Sequence, residues 1–501
     1  MKYRGNQTDM WDAWFLNVDG RVHAFHLQLP RKECTLPPEE CQAVGHIYSD
    51  DLIHWKRCQS ILPPLFDQDE RDYHQKFTGC ADQIDGKYIV YYTMRDKERG
   101  SQRLAAAISE DLIDFSLYEN NPVIVPDDKI LIGFENLEKY DWNIVDCRDL
   151  ITVKCKEDGL YYGYFAAAAD VGRKYPVGVI AVAVSDDLIN WRNQSIVYIP
   201  RQNGAIEVPD VYEIDGKWYL TTLNGTGYIG RYCGNDEYAV CCTTYAVADN
   251  PRGPFVDMED NIFISGNAES GYTCRSVLKD GKRYLLYVDR SHGGGTLSLP
   301  KEIRVNEKGE LGAYYADILN SIRINTLISP ENMPEPKYKM LTQTSFAWRT
   351  FGGEWIKEDN KYICKTEKYD YQAIDFNKQA HSIEAEAEFT INGFAGGFYV
   401  FTNESERVKG YVFSIEPERK RLLLTTMHSF EFINARTFNF EKNKKYKVKL
   451  IMIEGVCEVY VDDKLIMQCG IEMFENTSLG LFCDRGETVV ENLYLYELEH
   501  D

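Results

Sequence analysis

The sequence predicts an all-β protein, a five-bladed β-propeller followed by a C-terminal β-sandwich. Two repeated signals predict the propeller: an Asp-Gly pair ahead of an aromatic and β-branched run, and a Ser-x-Asp-Leu-Ile-x-aromatic box. Glycine tolerates positive φ, so an Asp-Gly pair between two such runs favours a tight β-hairpin. Recurrence at roughly 60 to 70 residues is typical of four-stranded sheets arranged around an axis.

The hairpin signal occurs five times before residue 300, which predicts five blades. Its copies are Asp19-Gly20, Asp85-Gly86, Asp158-Gly159, Asp215-Gly216 and Asp280-Gly281. The box follows most of them, at 49–55, 109–115 and 185–191, with a weaker copy from Ala248 to Pro251. We expect the propeller to span residues 1–325. A β-rich domain of another kind, with chance turns, is the alternative.

The remaining sequence predicts a second domain. Residues 326–345 are rich in Pro, Lys, Glu and Thr and are expected to form a linker. Beyond them, 383–389 and 446–450 alternate apolar and charged residues with period two, as half-buried antiparallel strands do. A further hairpin is expected around Asp462-Asp463. These patterns favour a concanavalin-like β-sandwich over residues 346–501.

Charge and composition limit the partners. The 501 residues carry a net charge of -22, which repels phosphate backbones and anionic lipid surfaces. We therefore expect neither nucleic acid nor membrane as a partner, and the aromatic content of 13% suits β-structure and sugar-binding faces. No residue grouping indicates a metal or another cofactor. The oligomeric state is not legible in the sequence.

The N-terminal residues lack an apolar signal segment and no run of 18 apolar residues occurs, so a cytoplasmic location is expected. The 14 cysteines are scattered, and Cys241-Cys242 are adjacent, without pairs spaced for zinc. We expect reduced thiols that pack as small hydrophobic groups.

The residues ahead of each hairpin are the candidates for chemistry, because the first strand of a propeller blade lines the central channel. Asp12, Asp149 and Glu207 each place a carboxylate there. Glycoside hydrolysis requires such groups, one to protonate the leaving oxygen and another to attack or to activate water. Asp12 and Glu207 form the natural pair, with Asp9 as an alternative nucleophile.

Further residues are expected around these carboxylates. Trp11, Trp14 and Phe77 offer aromatic faces for sugar C–H groups, although each is also suited to a core. Gln28 and His26 follow the first hairpin and are within reach of such a pocket, and Asp210 lies close to Glu207. His46 is expected to be structural.

Several of these motifs resemble glycoside hydrolase family 32, the β-fructosidases that include invertase, inulinase and levanase. The motifs are Arg148-Asp149, the stretch from Glu207 to Leu220, Gly45-His46 with its box, Phe77-Thr78-Gly79 and Leu299-Pro300-Lys301-Glu302. The resemblance implies a retaining hydrolase that cleaves a terminal fructofuranosyl residue from a small oligosaccharide. It implies that Asp12 is the nucleophile, Glu207 the general acid and base, and Asp149 a transition-state stabiliser that Arg148 orients.

The chain departs from the family pattern at the nucleophile. Met10-Trp11-Asp12-Ala13-Trp14 lacks the Asn, Pro and Asn that usually surround the Asp, and is closer to the Trp-Asp-x-Trp of family 68 levansucrases. Leu150 and Val208 also replace the usual Pro and Cys. A fructosyltransferase, a hydrolase of another furanoside (a difructose compound or an arabinofuranoside) and a non-catalytic sugar-binding protein are the alternatives.

Overall fold

The protein is described from a computed structural model, and it is almost entirely β-structure. The structure describes residues 3–5, 7–62, 76–95, 100–140, 144–201, 206–224, 241–266, 272–290, 294–338, 353–366, 371–402, 409–427 and 430–500. In these segments, none of the helices has the length and apolar character needed to cross a bilayer.

Four antiparallel sheets of four strands each make up most of the N-terminal part. The first contains β1 (Thr8–Val18), β2 (Arg21–Pro30), β3 (Gly45–Ser49) and β4 (Lys56–Arg57). The second contains β5 (Phe77–Ile84), β6 (Lys87–Arg95), β7 (Gln102–Ser109) and β8 (Ser116–Leu117). The third contains β9 (Cys147–Lys154), β10 (Tyr161–Ala169), β11 (Val177–Ser185) and β12 (Arg192–Tyr198). The fourth contains β13 (Ile206–Ile214), β14 (Lys217–Asn224), β15 (Cys241–Ala248) and β16 (Val256–Gly266).

A further run of antiparallel strands follows these sheets. It consists of β17 (Tyr272–Lys279), β18 (Lys282–Asp289), β19 (Thr296–Leu297), β20 (Lys301–Val305) and β21 (Leu311–Tyr315). The first strands contact one another in a ring, β1 with β5, β5 with β9, β9 with β13, β13 with β17 and β17 with β1. The arrangement is therefore propeller-like, with four separate blades and this fifth run joined to the C-terminal sheet.

Four of the Asp-Gly pairs form tight hairpins in which both residues are left-handed. In the turn between β13 and β14, Asp215 has φ 52 and Gly216 has φ 74. Two successive positive φ values are the geometry of a type I′ turn, which the Asp-Gly pair favours. The third pair is different: six residues separate β9 from β10, and the Gly159 N–H donates to Cys155 O.

The repeated box forms the turn between the third and fourth strands of the first three sheets. In the third sheet, Asp187 Oδ1 accepts hydrogen bonds from the N–H groups of Ile189 and Asn190, at 3.0 and 2.7 Å. Ser185 Oγ donates to the same oxygen at 2.9 Å. Partial burial opposes ionisation, but these hydrogen bonds outweigh it and lower the pKa of Asp187 to about 2.

Asp187→Ala is expected to destabilise the protein by about 1 kcal/mol, because several turn donors lose their acceptor. The wild-type carboxylate stabilises the fold above about pH 4, and this contribution disappears as the pH falls toward 2, since its pKa is lower in the folded state. Urea melts at pH 7 and pH 3 measure both effects. The matched control is Asp186→Ala, whose exposed ion pair with Arg192 contributes less than about 0.5 kcal/mol. Equal losses in the two variants would contradict the assignment.

The C-terminal part begins with β22 (Arg323–Ile328) and forms a large antiparallel sheet with its own hydrophobic core. Its other strands are β23 (Lys337–Tyr338), β24 (Gly353–Glu358), β25 (Lys361–Thr366), β26 (Tyr371–Ala380), β27 (Ile383–Thr402), β28 (Lys409–Glu416), β29 (Arg421–Thr426), β30 (Phe432–Thr437), β31 (Lys445–Ile453), β32 (Val456–Val461), β33 (Lys464–Gly470) and β34 (Thr477–Leu498). The helical segments are short: α1 (Pro38–Cys41) and 3-10 turns at Leu137–Tyr140, Asp317–Ile322, Pro330–Asn332 and Pro417–Arg419.

Alternation of apolar and charged residues correctly predicted the strands over 383–389 and 446–450, which pair with each other in β27 and β31. The predicted linker contains the end of β22 and β23, and its last residues, with the domain boundary at 346, lie outside the described residues. Those domain limits stay a prediction. The described cysteines have free thiols, and all but Cys34 and Cys58 are buried, in keeping with their expected role as small apolar groups.

A buried ion pair joins the two parts of the chain. Lys301 on β20 and Glu458 on β32 bond through Nζ and Oε1, with side chains 0% and 2% exposed. Tyr460 OH donates to the other oxygen of Glu458 at 2.6 Å. Tyr287 on β18 bonds to Gln468 on β33 beside them. One shared apolar cluster runs through this contact and includes residues of both parts.

Candidate active site

The same irregularity interrupts the first strand of every sheet. At one point in each, two consecutive residues face a single residue of the second strand, which is a β-bulge. The bulged pairs are Trp11-Asp12, Thr78-Gly79, Asp149-Leu150, Val208-Pro209 and Thr273-Cys274. Because these strands contact one another in a ring, the bulges bring the side chains of separate sheets to one place.

The three candidate catalytic carboxylates lie at these bulges. Asp12 and Asp149 are within them, and Glu207 immediately precedes one. Three bulge residues have left-handed backbone: Asp149 at φ 62, Val208 at φ 47 and Thr273 at φ 52. That conformation is costly for a residue with a side chain, most of all for a β-branched one, and such strain concentrates at functional sites.

Asp12 is held by the second sheet. Thr78 Oγ1 donates to Asp12 Oδ2, which fixes the carboxylate and leaves Oδ1 for other contacts. Burial raises the pKa of Asp12, the hydrogen bond from Thr78 lowers it, and the charge of Glu207 raises it. Asp12 and Glu207 are therefore close enough to interact electrostatically, as the predicted pair requires.

Arg148 connects the other acids. Its Nη1 donates to Asp146 Oδ1 at 2.6 Å, its Nη2 lies 3.3 Å from Glu207 Oε1, and its Nε lies 3.6 Å from Asp149 Oδ2. The Arg148 side chain is 14% exposed, so these interactions are poorly screened by water. Arg148 thus contacts three acids, and its orienting role stays a prediction.

Asp149 is the most strongly perturbed of these acids. Burial raises its pKa most, Arg148 opposes the rise, and the charges of Glu207 and Asp12 add to it, so that the pKa is about 7. The N–H of Val208 donates to Asp149 Oδ2 at 2.9 Å, linking the bulges of the third and fourth sheets. Three carboxyl groups thus share one site, and the charge of Glu207 raises the pKa values of both Asp12 and Asp149.

Asp149→Asn is expected to stabilise the fold at pH 8 relative to pH 4. The raised pKa means that folding disfavours the charged form, so the wild type loses stability as the pH rises from about 4 to about 7. Asn is neutral throughout, and the difference reaches up to about 4 kcal/mol above pH 7. Urea melts of both proteins at pH 4.5 and pH 8 measure it. A stability difference that is the same at both pH values would contradict the perturbed carboxyl.

The four residues predicted to bind substrate, besides Arg148, have different surroundings in the structure. Phe77 is half-buried on β5, with the Arg95 guanidinium 5.2 Å from its ring centroid. Trp14 is 1% exposed and packs on Phe25 in an apolar cluster, the core alternative for an aromatic residue. Gln28 donates to Glu40 O at 2.6 Å and to Ser60 Oγ at 3.1 Å. Asp210 is 3% exposed, and its Oδ2 accepts from Ser276 N at 2.8 Å.

Asp210 therefore shares β13 with Glu207, Trp14 shares β1 with Asp12, and Phe77 lies on β5 next to Thr78. Trp14 nevertheless packs in an apolar cluster, and Gln28 bonds to Glu40 and Ser60. The substrate-binding roles of all four stay predictions. Trp11 is half-buried beside Asp12, with the Arg290 guanidinium 4.5 Å from its ring centroid. Asp9, the alternative nucleophile, accepts from Arg31 Nε at 2.8 Å.

His46 and His26 are both buried in the first sheet. Burial lowers the pKa of His26 to about 4 and that of His46 to about 3, so both rings are neutral at pH 7. His46 Nε2 lies 2.9 Å from His23 Nδ1, and its ring stacks on Phe25. These contacts are those of a packed structural residue.

Sequence reasoning did not single out two polar residues of the site. Asp146 lies two residues before Arg148 and pairs with it, and Arg275 lies on β17 beneath the acids. A signal for Arg275 exists, because it precedes the fifth Asp-Gly pair as the three acids precede the first, third and fourth pairs. Asp146 has no comparable signal in the sequence, because its ion pair with Arg148 depends on the geometry of the two side chains.

Carboxyl groups gathered beside a guanidinium, where the first strands of the sheets meet, are the groups that glycoside hydrolysis uses to protonate, attack and stabilise. Residues 14–259 match the family described as Glycosyl hydrolases family 32 N-terminal domain. The match spans just under half of the length of the chain. Arg148, Asp149 and Glu207 lie within the match, and Asp12 lies two residues before it.

One curated relative is a levanase from Bacillus sp. (strain L7), 22% identical over 540 aligned positions. The alignment covers 99% of this chain and 51% of the levanase, so the chain spans about half the length of this relative.

Solved structures of similar fold include fructan 1-exohydrolase IIa from Cichorium intybus in complex with 1-kestose, at TM-score 0.69 and 12% identity, covering 100% of this chain and 97% of that one. A sucrose-6-phosphate hydrolase from Lactobacillus gasseri gives TM-score 0.67 and 15% identity, covering 100% and 93%. A GH32 β-fructofuranosidase from Bombyx mori gives 0.65 and 17%, covering 99% and 94%. The likeness covers both the propeller-like part and the C-terminal sheet.

Proposed function

We propose that this protein is a retaining glycoside hydrolase that removes a terminal fructofuranosyl residue from a small oligosaccharide. The observation that carries the proposal is the cluster in which Arg148 contacts Asp149 and Glu207 while Asp12 interacts with both acids. The family match over residues 14–259 supports the same class of reaction.

In the first step, Asp12 attacks the anomeric carbon and the bond from that carbon to the leaving oxygen breaks. Thr78 occupies Oδ2, so Oδ1 is the attacking atom. Glu207 donates its proton to the leaving oxygen, and the product is a fructosyl ester of Asp12. Arg148 contacts Glu207 Oε1, which assigns the transferred proton to Oε2.

In the second step, Glu207 removes a proton from water, and the oxygen of that water attacks the anomeric carbon. The ester bond to Asp12 breaks, fructose leaves with its configuration retained, and Glu207 is protonated again. Asp149 stabilises the transition state by accepting hydrogen bonds from sugar hydroxyls. Among the described residues, Val208 and Arg148 both contact Asp149 Oδ2. Asp149 Oδ1 is therefore the atom that accepts the hydrogen bonds from the sugar.

We also propose a five-bladed propeller and a C-terminal β-sandwich. We assign β17, β18, β20 and β21 to a fifth blade, supported by the ring of contacts among first strands and by the bulge that β17 shares with the others. The N-terminal residues support closure of this ring, because Leu297 N donates to Tyr3 O at 3.0 Å. The separate core of the C-terminal part supports a β-sandwich domain.

The substrate is assigned by class. Relatives of similar fold bind sucrose or 1-kestose, as their descriptions state. The test is a product profile of the wild type with sucrose, 1-kestose, inulin and levan fragments, a difructose anhydride and an aryl arabinofuranoside. Release of free fructose is the expected result. Ligand-induced thermal stabilisation without turnover of any compound would instead identify a sugar-binding protein.

A fructosyltransferase is the second candidate, and the setting of Asp12 favours it. The Trp-Asp-x-Trp form of residues 11–14 resembles the levansucrase motif, and Asp12 lies outside the family 32 match. The same profile in concentrated sucrose separates the two reactions, because transfer yields fructose oligomers in place of free fructose.

A further inference from the structure

Arg275 is a fully buried cation at the centre of the propeller-like part. Its side chain is among the largest with under 2% exposure, and it extends from β17 immediately after the bulge of that strand. A buried guanidinium is costly unless its donors are bonded and its charge is balanced by neighbours.

Every hydrogen bond of Arg275 in the described part of the chain goes to a main-chain carbonyl of another sheet. Nη1 donates to Pro209 O, and Nη2 lies 3.1 Å from Asp149 O and 3.4 Å from Leu150 O. These oxygens belong to the bulges of the third and fourth sheets. One guanidinium therefore joins the bulge that contains Asp149 to the bulge that follows Glu207.

The charge of Arg275 acts on acids that it does not contact. The positive charge lowers the pKa of three groups on other first strands, namely Asp12 on β1, Cys80 on β5 and Asp210 on β13. Burial raises the pKa of each of these groups, so the charge opposes the effect of burial. Other charged groups also act on these residues: Glu207 raises the pKa of Asp12, Asp82 raises that of Cys80, and Arg283 on β18 lowers that of Asp210. The backbone of Asp149 faces Arg275 from β9.

We propose that Arg275 is a positioning residue of this site, which holds the two bulges that present Asp149 and Glu207 and brings a buried positive charge to the acids around them. The catalytic consequence rests on the hydrolysis proposed above, in which Asp12 must be ionised to attack. Arg275 itself bonds only to the protein backbone and does not touch the sugar.

Two variants of Arg275 distinguish the effect of its hydrogen bonds to the bulges from the effect of its positive charge. Arg275→Lys keeps the charge but has no planar fork to reach both bulges, so kcat is expected to fall at least about tenfold. In this variant, the pH at which kcat/KM falls on the acidic side of the pH profile (the acid limb) should be the same as in the wild type. Arg275→Met loses the charge as well, and its acid limb is expected to move upward by about one pH unit. Arg192→Met, at an exposed ion pair of the third sheet, is the matched control and should change neither quantity.

The titration of Asp12 is also measured without turnover, by carbon-13 NMR of protein labelled at aspartate carboxyls, with the signal assigned by its loss in Asp12→Asn. Arg275→Met should raise the midpoint of that signal, and Arg275→Lys should not. If Arg275→Met does not fold, Arg275→Lys decides: wild-type kcat in this variant would overturn the proposal. An unchanged Asp12 midpoint in folded Arg275→Met would also overturn it. A wild type without activity on any fructoside would remove the proposed function, while the NMR titration would still decide the role of Arg275.

Discussion

In the Glu207→Gln variant, hydrolysis of an oligosaccharide is expected to fall by at least about 10³-fold, because the leaving oxygen no longer receives a proton. The amide keeps the size of the side chain, and Arg148 retains Asp146 and Asp149 as partners. Asp12→Asn should lose at least as much, since the amide does not attack the anomeric carbon. Initial rates of fructose release, with thermal melts to confirm folding, measure both.

The matched control for Asp12 is Asp82. It also lies on a first strand and accepts a hydrogen bond from a threonine of the next sheet, Thr152 Oγ1 at 2.9 Å. It sits next to the hairpin rather than at the bulge, so Asp82→Asn should leave fructose release within about threefold of the wild type. Comparable losses in Asp82→Asn and Asp12→Asn would mean that the effect is one of folding and would contradict the assigned nucleophile.

Breaking the buried ion pair of Lys301 and Glu458 is expected to give the largest loss of stability. Lys301→Met leaves a carboxylate that is 2% exposed without its cation, which costs about 3 to 5 kcal/mol. Glu458→Gln should be comparably harmful, because the Lys301 ammonium is 0% exposed. Urea melts followed by intrinsic fluorescence measure the loss.

The double variant Lys301→Met/Glu458→Gln should recover much of that stability, because neither change then leaves a buried charge unpaired. Lys282→Met is the control. Its ion pair with Glu302 is 43% exposed at the lysine and contributes at most about 1 kcal/mol. Additive losses in the double variant would contradict a direct interaction across the two parts of the chain.

The hairpins were predictable because their chemistry is local. Asp and Gly at positive φ determine four of the turns whatever the rest of the sheet does. The pair at Asp158-Gly159 shows the limit, since the sequence signal is the same while the connection is longer and closes through Cys155 O. Turn type depends there on how the two strands align, which a dipeptide does not specify.

The acids of the site were predictable from motif and position, but the way they are brought together was not. The bulges at Asp12 and Asp149 are defined by cross-strand register, and register is a property of two strands at once. Packing likewise decided that Trp14 lies in an apolar cluster and that Gln28 bonds to Glu40.

Long-range charge partners were the least accessible to sequence reasoning. Lys301 belongs to a motif shared with the family, and its partner Glu458 lies in the C-terminal part, in a strand that the sequence predicts only as one arm of the hairpin at Asp462-Asp463. Arg275 bonds to backbone carbonyls, which carry no signature in the sequence. Such contacts depend on the tertiary arrangement alone.

The most direct test of the proposed chemistry is to trap the sugar on the enzyme. Glu207→Gln is incubated with a fructofuranoside whose activated leaving group departs without an acid, digested and analysed by mass spectrometry. Because water is then no longer activated by Glu207, a fructosyl ester should accumulate. One hexosyl unit is expected on the peptide that contains Asp12, and none in Asp12→Asn. A label on another carboxylate, or steady turnover of this substrate in Asp12→Asn, would contradict it.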